Sequence, residues 1–343
     1  MPLSIHSNQI LITATRFLTG PSGPEQEIRE SLVENHHLGW LVVTNRQKQL
    51  LYCTPGADEA ATFFRSSAKP FQAFPMVQAG FHHELSTEEL ALACASHTGS
   101  QRHTDLAFSI LKKAGYPEST LQCGPHNPTD PQALAQLQST QQAPSRIHNN
   151  CSGKHAAMLL YCRKAGLDPA TYLDPHHPLQ QRIVQNIQQW GEVPSVPLAI
   201  DGCGAPVFYL PLHSMALLYA HLGTSKEFQP LQHAMSTFPE VVGGKGRVDT
   251  VIMQASQGKL LAKVGADGVL CVARVGSGEG LALKISDGAG DIRDMALVEI
   301  LIRIGWLDSQ AAQDEQLAPF RKKMIRTNTQ DKPVGEFQLH FHP

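Results

Sequence analysis

The stretch Lys259–Ile285, KLLAKVGADGVLCVARVGSGEGLALKI, decides the fold class. Three apolar runs, Lys259 to Val264, Val269 to Val275 and Leu281 to Ile285, are parted by Ala266-Asp267-Gly268 and by Gly276-Ser277-Gly278-Glu279-Gly280. The separators supply the glycines that tight turns demand, so the runs predict an antiparallel meander. A matching signal lies toward the other end. His37 to Thr54 (HLGWLVVTNRQKQLLYCT) predicts a hairpin in which Trp40-Leu41-Val42-Val43 turns through Asn45-Arg46-Gln47 into Leu50-Leu51-Tyr52-Cys53. Between the two, Ser66 to Gln78, Glu88 to Ser96, Thr104 to Ala114, Lys154 to Ala165, His177 to Trp190 and Leu210 to Leu222 space their apolar residues at three and four, as helices do. Pro117 to Pro131 and Pro194 to Pro197 read as loops, and Gln132 to Gln142 as a mildly Gln-rich segment. Met295 to Ile304 predicts a last helix, packed back on the meander. Strands at both ends with helices between them make an α+β fold. The expectation is a single unit, 1–343, with an antiparallel sheet lobe from about 1–65 and 205–343 and a helical lobe inserted at about 66–204.

Composition narrows the chemistry. Basic and acidic residues number 28 and 30, a formal charge of 28 − 30 = −2, so neither a basic groove for nucleic acid nor a polyanionic face is implied. A small-molecule substrate is the default. Seven cysteines, Cys53, Cys94, Cys123, Cys151, Cys162, Cys203 and Cys271, are scattered without a C-x-x-C pair, which reads as reduced thiols in a cytoplasmic protein. Met1 to Ile12 carry no basic segment leading into an apolar one, and no run approaches membrane-spanning length, so no membrane partner is expected. Most of the seventeen histidines, including His36-His37, His82-His83, His176-His177 and the tail pair His340 and His342, read as surface or turn residues.

Chemistry-bearing residues concentrate in a few blocks. Arg65-Ser66-Ser67-Ala68-Lys69 holds Ser-x-x-Lys, which on a helix puts hydroxyl and amine on one face. A neutral lysine, its pKa lowered by burial or a nearby cation, could take the serine proton. Flanking Phe63-Phe64 and Phe71 suit a buried position, and Pro70 fits a first helical turn. The pattern alone is weak, because Ser109-Ile110-Leu111-Lys112 and Ser256-Gln257-Gly258-Lys259 share it; those two are read as structural. Ser96-His97-Thr98-Gly99 ends an apolar run where a helix gives way to a loop, a place favoured by active-site groups and by capped turns alike. Lys263, between Ala262 and Val264, points outward if the strand alternates and inward if it has a task; alternation favours outward. Cys151-Ser152-Gly153-Lys154-His155 and Asp201-Gly202-Cys203-Gly204 bring soft metal donors and an amine, although buried free cysteines and a solvated lysine are the plainer reading.

Taken together, the blocks resemble the Rhizobium-type L-asparaginases, the asparaginase II family. Arg65-Ser66-x-x-Lys69-Pro70, Cys94-Ala95-Ser96-His97, Asn150-Cys151-Ser152-Gly153-Lys154-His155, Asp201-Gly202-Cys203 and Lys263-x-Gly265-Ala266-Asp267-Gly268 stand in the family's order, and the third block is highly specific. The similarity runs from about Val33 to Ile302 and leaves Met1 to Arg29 outside it. The resemblance implies a fold similar to serine β-lactamases and penicillin-binding proteins. It implies two serine–lysine pairs, Ser66 with Lys69 and Ser96 with Lys263, with Ser66 the nucleophile. Arg65, His97, Asp201 and His155 would bind substrate, and Cys151, Lys154 and Cys203 would hold a supportive Zn2+. It further implies a homodimer acting on L-asparagine. Ser-Asp-Asn and Lys-Thr-Gly, the companions of β-lactamase Ser-x-x-Lys, are absent, which argues against penicillin as substrate. Thr98 departs from the residue the family often has after Ser-His. The rivals are a glutaminase or broader amidase on the same residues, one methylene apart in substrate, and a non-catalytic zinc-binding or amino-acid-sensing protein of the same fold.

Overall fold

The computed structural model describes residues 12–19, 31–322 and 324–341. From the amino end, strands β1 (Ile12–Thr19), β2 (Ser31–Asn45), β3 (Leu50–Cys53) and β4 (Ala61–Phe63) precede six helices. These are α1 (Lys69–Gln78), α2 (Thr87–Ala93), α3 (Gln101–Ala114), α4 (Pro131–Ser139), α5 (Ser152–Ala165) and α6 (Pro178–Gly191). Two short strands, β5 (Leu198–Ile200) and β6 (Pro206–Pro211), lead into α7 (Leu212–Leu222), α8 (Gln229–Thr237), α9 (Pro239–Val242) and α10 (Val248–Ala255). The meander follows as β7 (Leu260–Val264), β8 (Val269–Arg274) and β9 (Glu279–Ile285), then α11 (Gly290–Arg303), α12 (Ala318–Lys322), β10 (Ile325–Thr327) and β11 (Pro333–Phe341).

Both predicted strand regions form, and β2 joins them. Among the described residues the large sheet runs β10-β11-β1-β2-β9-β8-β7, with β3 also on β2, and its pairs are antiparallel. The first half of β2 carries β1 and the second half carries β9, the changeover falling at Gly39, which faces both Ile12 and Ile285. The sheet is therefore built from both ends of the chain around an inserted helical region. Helix α7 lies on β2, β8 and β9, while α10 and α8 reach β7 and α11 packs on β9. The approach of α7 needs a residue without a side chain: a Cβ on Gly280 would stand 2.0 Å from the Ala216 carbonyl oxygen. With helices on both faces the meander has no solvated side, and every residue of β7 is buried.

Several elements go beyond the sequence reading. The inserted helices do not stop near 204 but continue through α10 to Ala255. A small separate sheet, β4-β6-β5, stands among them. The run read as a helix from Leu210 starts instead at Leu212, because Pro206–Pro211 is β6. The Gln-rich segment forms α4, with the Asp130 side chain accepting the Ala133 N–H at its start. Strand β11 alternates buried Phe337 with exposed Glu336 and Gln338, so His340, expected as frayed surface, is an exposed strand residue paired with Thr13. His342, and Met1 to Arg29 apart from β1, lie outside the described residues. Among the described residues no helix is long and apolar enough to cross a membrane.

Candidate active site

Ser66 sits in a single 3-10 turn, Arg65–Ala68, that runs straight into α1. The Lys69 N–H donates to the Ser66 carbonyl, and Pro70 occupies the first turn as its fixed φ allows. The turn is tied down from several sides. Ser67 Oγ donates to the Lys263 carbonyl at 2.8 Å, and the Ser67 carbonyl accepts from Tyr219 OH at 2.8 Å. Phe64, Phe71 and Tyr219 pack ring against ring beneath it, with centroids 5.7 to 6.2 Å apart. Arg65 has φ +50°, a left-handed conformation that a bulky residue adopts at a cost of about 1–3 kcal/mol. Its guanidinium Nη2 lies 3.4 Å from Asp201 Oδ1 and 3.3 Å from Asp267 Oδ2, so the strained residue joins two loops that carry site blocks. Ser66 itself is half-buried, and its hydroxyl makes no hydrogen bond among the described residues.

The two lysines pair differently from the expectation. Lys69 is buried, and its Nζ donates to the Ala95 carbonyl at 2.5 Å, Ser96 Oγ at 2.9 Å and the Asn150 carbonyl at 3.3 Å. Its hydroxyl partner is thus Ser96, not Ser66. The reason is packing: the long side chain passes its own turn and enters the gap where α2 ends and α5 begins, which is lined with carbonyls. Burial lowers the pKa of the Lys69 amine, with Cys151 acting against it and Lys154 adding to the fall. Lys263 points inward, with 0% exposure, against the outward reading from alternation. Its Nζ donates to the Val264 carbonyl at 2.9 Å and lies 3.6 Å from Asp249 Oδ2; no bond to Ser96 forms among the described residues. Burial brings its pKa down to about 7, while Asp249 pulls upward and Lys69 downward.

His97 and His155 face inward rather than toward an open site. The Gly99 N–H donates to His97 Nδ1 at 3.1 Å, which leaves the proton on Nε2 to donate to Ser152 Oγ at 3.0 Å. The ring also stacks on His103, centroids 4.9 Å apart. Burial, then His103, holds it well below the usual imidazole range, and it stays neutral. His155 Nδ1 pairs with Tyr172 OH at 2.7 Å, and that hydroxyl accepts the Gln122 N–H at 2.9 Å. Both histidines were expected to bind substrate; here their ring nitrogens pair with Ser152 and Tyr172.

Lys154 is buried, not solvated, and its Nζ lies 3.2 Å from Cys203 Sγ. The Cys151 thiol hydrogen-bonds to Cys203 and holds it far below the usual thiol range. Burial pulls the Lys154 amine down, but the Cys203 and Cys151 sulfurs outweigh it and raise its pKa. This set can be tested against a soft divalent cation. Two cysteine sulfurs and one amine converge, and the buried His155 ring, whose Nε2 makes no hydrogen bond of ordinary geometry, interacts with the Cys203 sulfur. Among the described residues no three His, Cys, Asp or Glu side chains form a metal-holding group, so a third protein donor would have to be the Lys154 amine. The donor chemistry fits such an ion. Gly153 makes the convergence possible: a Cβ there would stand 2.4 Å from Leu92 Cγ, so only glycine lets α5 start this close to α2.

Two important groups escaped the sequence reading. Asp249 is fully buried against Lys263, and its one signal is a lone acid in the apolar run Val248 to Met253. Tyr219, which bonds the Ser66 turn, looks like any apolar helix residue in sequence. Of the two serines read as structural, Ser109 Oγ donates to Glu89, and Ser256 Oγ accepts the Leu260 N–H.

Comparison with known families is decisive for the class. The family model described as L-asparaginase II matches residues 26–339. The chain belongs to the L-asparaginase II family. It is accordingly a hydrolase, an amidohydrolase of the asparaginase type, and all five blocks lie within the L-asparaginase II match. A search of curated proteins finds no match. Among solved structures it is similar to simvastatin synthase (LovD) from Aspergillus terreus, in its LovD6 mutant form. That match has 10% identity and a TM-score of 0.31, covering 83% of this chain and 91% of the other. At that score the likeness carries no weight, and the α+β fold of this L-asparaginase II member rests on its own topology.

Proposed function

We propose that this chain hydrolyses the side-chain amide of L-asparagine to L-aspartate and ammonia, with Ser66 as nucleophile. The observation that supports the reading is the buried Lys69 amine that follows Ser66 by one turn, in a turn where the half-buried Ser66 hydroxyl makes no hydrogen bond among the described residues. An amine whose charge burial disfavours can accept a proton: in its neutral form two N–H groups stay on the Ala95 and Asn150 carbonyls and the lone pair is the acceptor, and the half-buried Ser66 is the more accessible of the two serines. Ser66 Oγ attacks the amide carbon as its proton passes to Lys69 Nζ. The tetrahedral adduct collapses, the C–N bond breaks, and Lys69 returns the proton so that ammonia leaves. Water then attacks the aspartyl ester, giving its proton back through Lys69 to Ser66 Oγ as the ester bond breaks. Ser96 holds the Lys69 amine between these transfers, and Lys263 supports the site from β7. Arg65, between Asp201 and Asp267, would take the substrate α-carboxylate, and Asp201 its α-ammonium.

Cys151, Lys154 and Cys203 would hold Zn2+, which when bound would fix these groups and supply a local positive charge. The homodimer carries over from the family resemblance; the cytoplasmic setting and the lack of nucleic-acid or membrane partners follow from the scattered cysteines, the −2 charge and the want of a long apolar run.

A second reading has its own support. Because Lys69 bonds Ser96 and not Ser66, Ser96 could be the attacked serine. Ammonia release from L-asparagine and L-glutamine by wild type, Ser66→Ala and Ser96→Ala, with mass spectrometry of quenched enzyme, separates them. Loss of the aspartyl adduct and of turnover in Ser66→Ala is expected; an adduct mapped to Ser96 would transfer the role. Faster release from glutamine would overturn the substrate assignment.

A further inference from the structure

Asp249 has no part in the reaction as written, yet it is a carboxylate with 0% exposure. Such a group is costly to bury unless it is paired and hydrogen-bonded. Its Oδ2 accepts the Val264 N–H at 3.2 Å and lies 3.6 Å from Lys263 Nζ. Its Oδ1 accepts the Thr250 N–H at 3.1 Å and lies 3.9 Å from Arg247 Nε. Gly243 packs close against the carboxylate: a Cβ there would stand 2.5 Å from Oδ1. The strand end it grips is the one on which the Ser66 turn rests. Ser67 Oγ donates to the Lys263 carbonyl at 2.8 Å, and Arg293 Nη1 donates to the Gly265 carbonyl two residues on, also at 2.8 Å.

We propose that Asp249 is a positioning residue for the hydrolysis, the counter-ion that seats the Lys263 amine and holds the end of β7 against the Ser66 turn. The inference rests on the asparaginase reading above, because it is the part of Lys263 in that reaction that Asp249 serves. The titratable and charged groups facing Lys263 are Asp249 and Arg247 from α10 and its lead-in, and Lys69 from α1. Cys151 faces it from the start of α5, Cys94 from the end of α2, and Cys271 lies opposite on β8. Arg293 and Asp294 on α11 act on it through Asp249. Asp249 is the one carboxylate in direct contact. Without it, burial and the neighbouring cations are opposed only by the weaker pull of Cys151, and Lys263 gives up its proton at lower pH.

The test is the pH profile of kcat/KM for L-asparagine in wild type, Lys263→Met and Asp249→Asn. The limb that Lys263→Met abolishes belongs to Lys263. In Asp249→Asn that limb is expected to move to lower pH by more than about one unit, and Asp249→Glu should bring it part of the way back. Asp249→Asn strands a buried amine, so the double variant Asp249→Asn with Lys263→Met is melted beside it; recovery of melting temperature identifies the pair. A limb that superimposes on the wild type in Asp249→Asn, or a double variant no more stable than Asp249→Asn, overturns the inference and leaves the asparaginase reading standing. If instead the wild type proves inactive on L-asparagine, 15N titration of the Lys263 side chain decides separately: a lower pKa in Asp249→Asn supports the seating, and an unchanged one overturns it.

Discussion

Replacing Gly153 by alanine tests whether the contact between α2 and α5 sets the site. A Cβ at 153 would stand 2.4 Å from Leu92 Cγ, 2.6 Å from Leu92 O and 2.9 Å from Leu92 Cδ2. Carbon contacts settle at roughly 3.5–4.0 Å, so the start of α5 must retreat by about an ångström. Alanine in a helix gains about 1 kcal/mol over glycine, whereas forced overpacking costs about 1–3 kcal/mol. Net destabilisation is therefore expected, and its side-chain part should vanish when Leu92 is also truncated. The backbone oxygen cannot be removed, so Leu92→Ala, itself costing about 2–5 kcal/mol, should rescue Gly153→Ala only in part.

Activity should suffer more than stability. The Asn150 carbonyl just before α5 accepts from Lys69 Nζ at 3.3 Å and from the His97 N–H at 3.2 Å. An ångström of retreat breaks the first and strains the second, and misplacement on that scale can cost about 100-fold in rate. Urea denaturation and ammonia release on the four members of the Gly153/Leu92 cycle measure both effects. A Gly153→Ala enzyme as stable and as active as the wild type would refute the reasoning, because it would mean that the two helices do not need so close an approach.

Tyr219→Phe removes the donor to the Ser67 carbonyl without changing the aromatic packing; a loss of about 1–3 kcal/mol for the stranded carbonyl is expected in urea denaturation, with kcat falling and KM nearly unchanged. Adding Zn2+ to metal-stripped protein should raise its melting temperature, and Cys203→Ser should remove most of the rise; a wild type indifferent to Zn2+ would end the zinc proposal. The folded pKa of Lys263, about 7, lies below its unfolded value of 10.5, so between these pH values the unfolded chain binds more protons and stability rises with pH. Wild type should therefore gain stability from pH 7 to pH 10 more steeply than Lys263→Met, and equal slopes would show that Lys263 is charged in the fold.

What could be read from the sequence follows from what each signal measures. The meander was legible because its turns need glycine and its runs are short and apolar, both local properties. The blocks around Ser66, Ser96, Cys151 and Asp201 were legible as a family, and the fold does bring them into one region. Their partnerships were not legible. Ser-x-x-Lys states that two side chains share a helix face, but a lysine outreaches its own turn, and the carbonyls of Ala95, just after α2, and Asn150, just before α5, draw Lys69 to Ser96 instead. Alternation could place Lys263 only if one face of β7 met water, and α8 and α10 pack against that strand. Asp249 carried no spacing signal, since its role depends on a strand that passes it about fourteen residues later (Lys263) and on Gly243, which packs close behind its carboxylate. In each case the residue types were in the sequence and the atom-to-atom pairing came from elements far apart in it. Variants that keep every motif residue but alter these remote contacts, Gly153→Ala and Tyr219→Phe among them, are therefore sharper tests of the site than deletion of the motif serines alone.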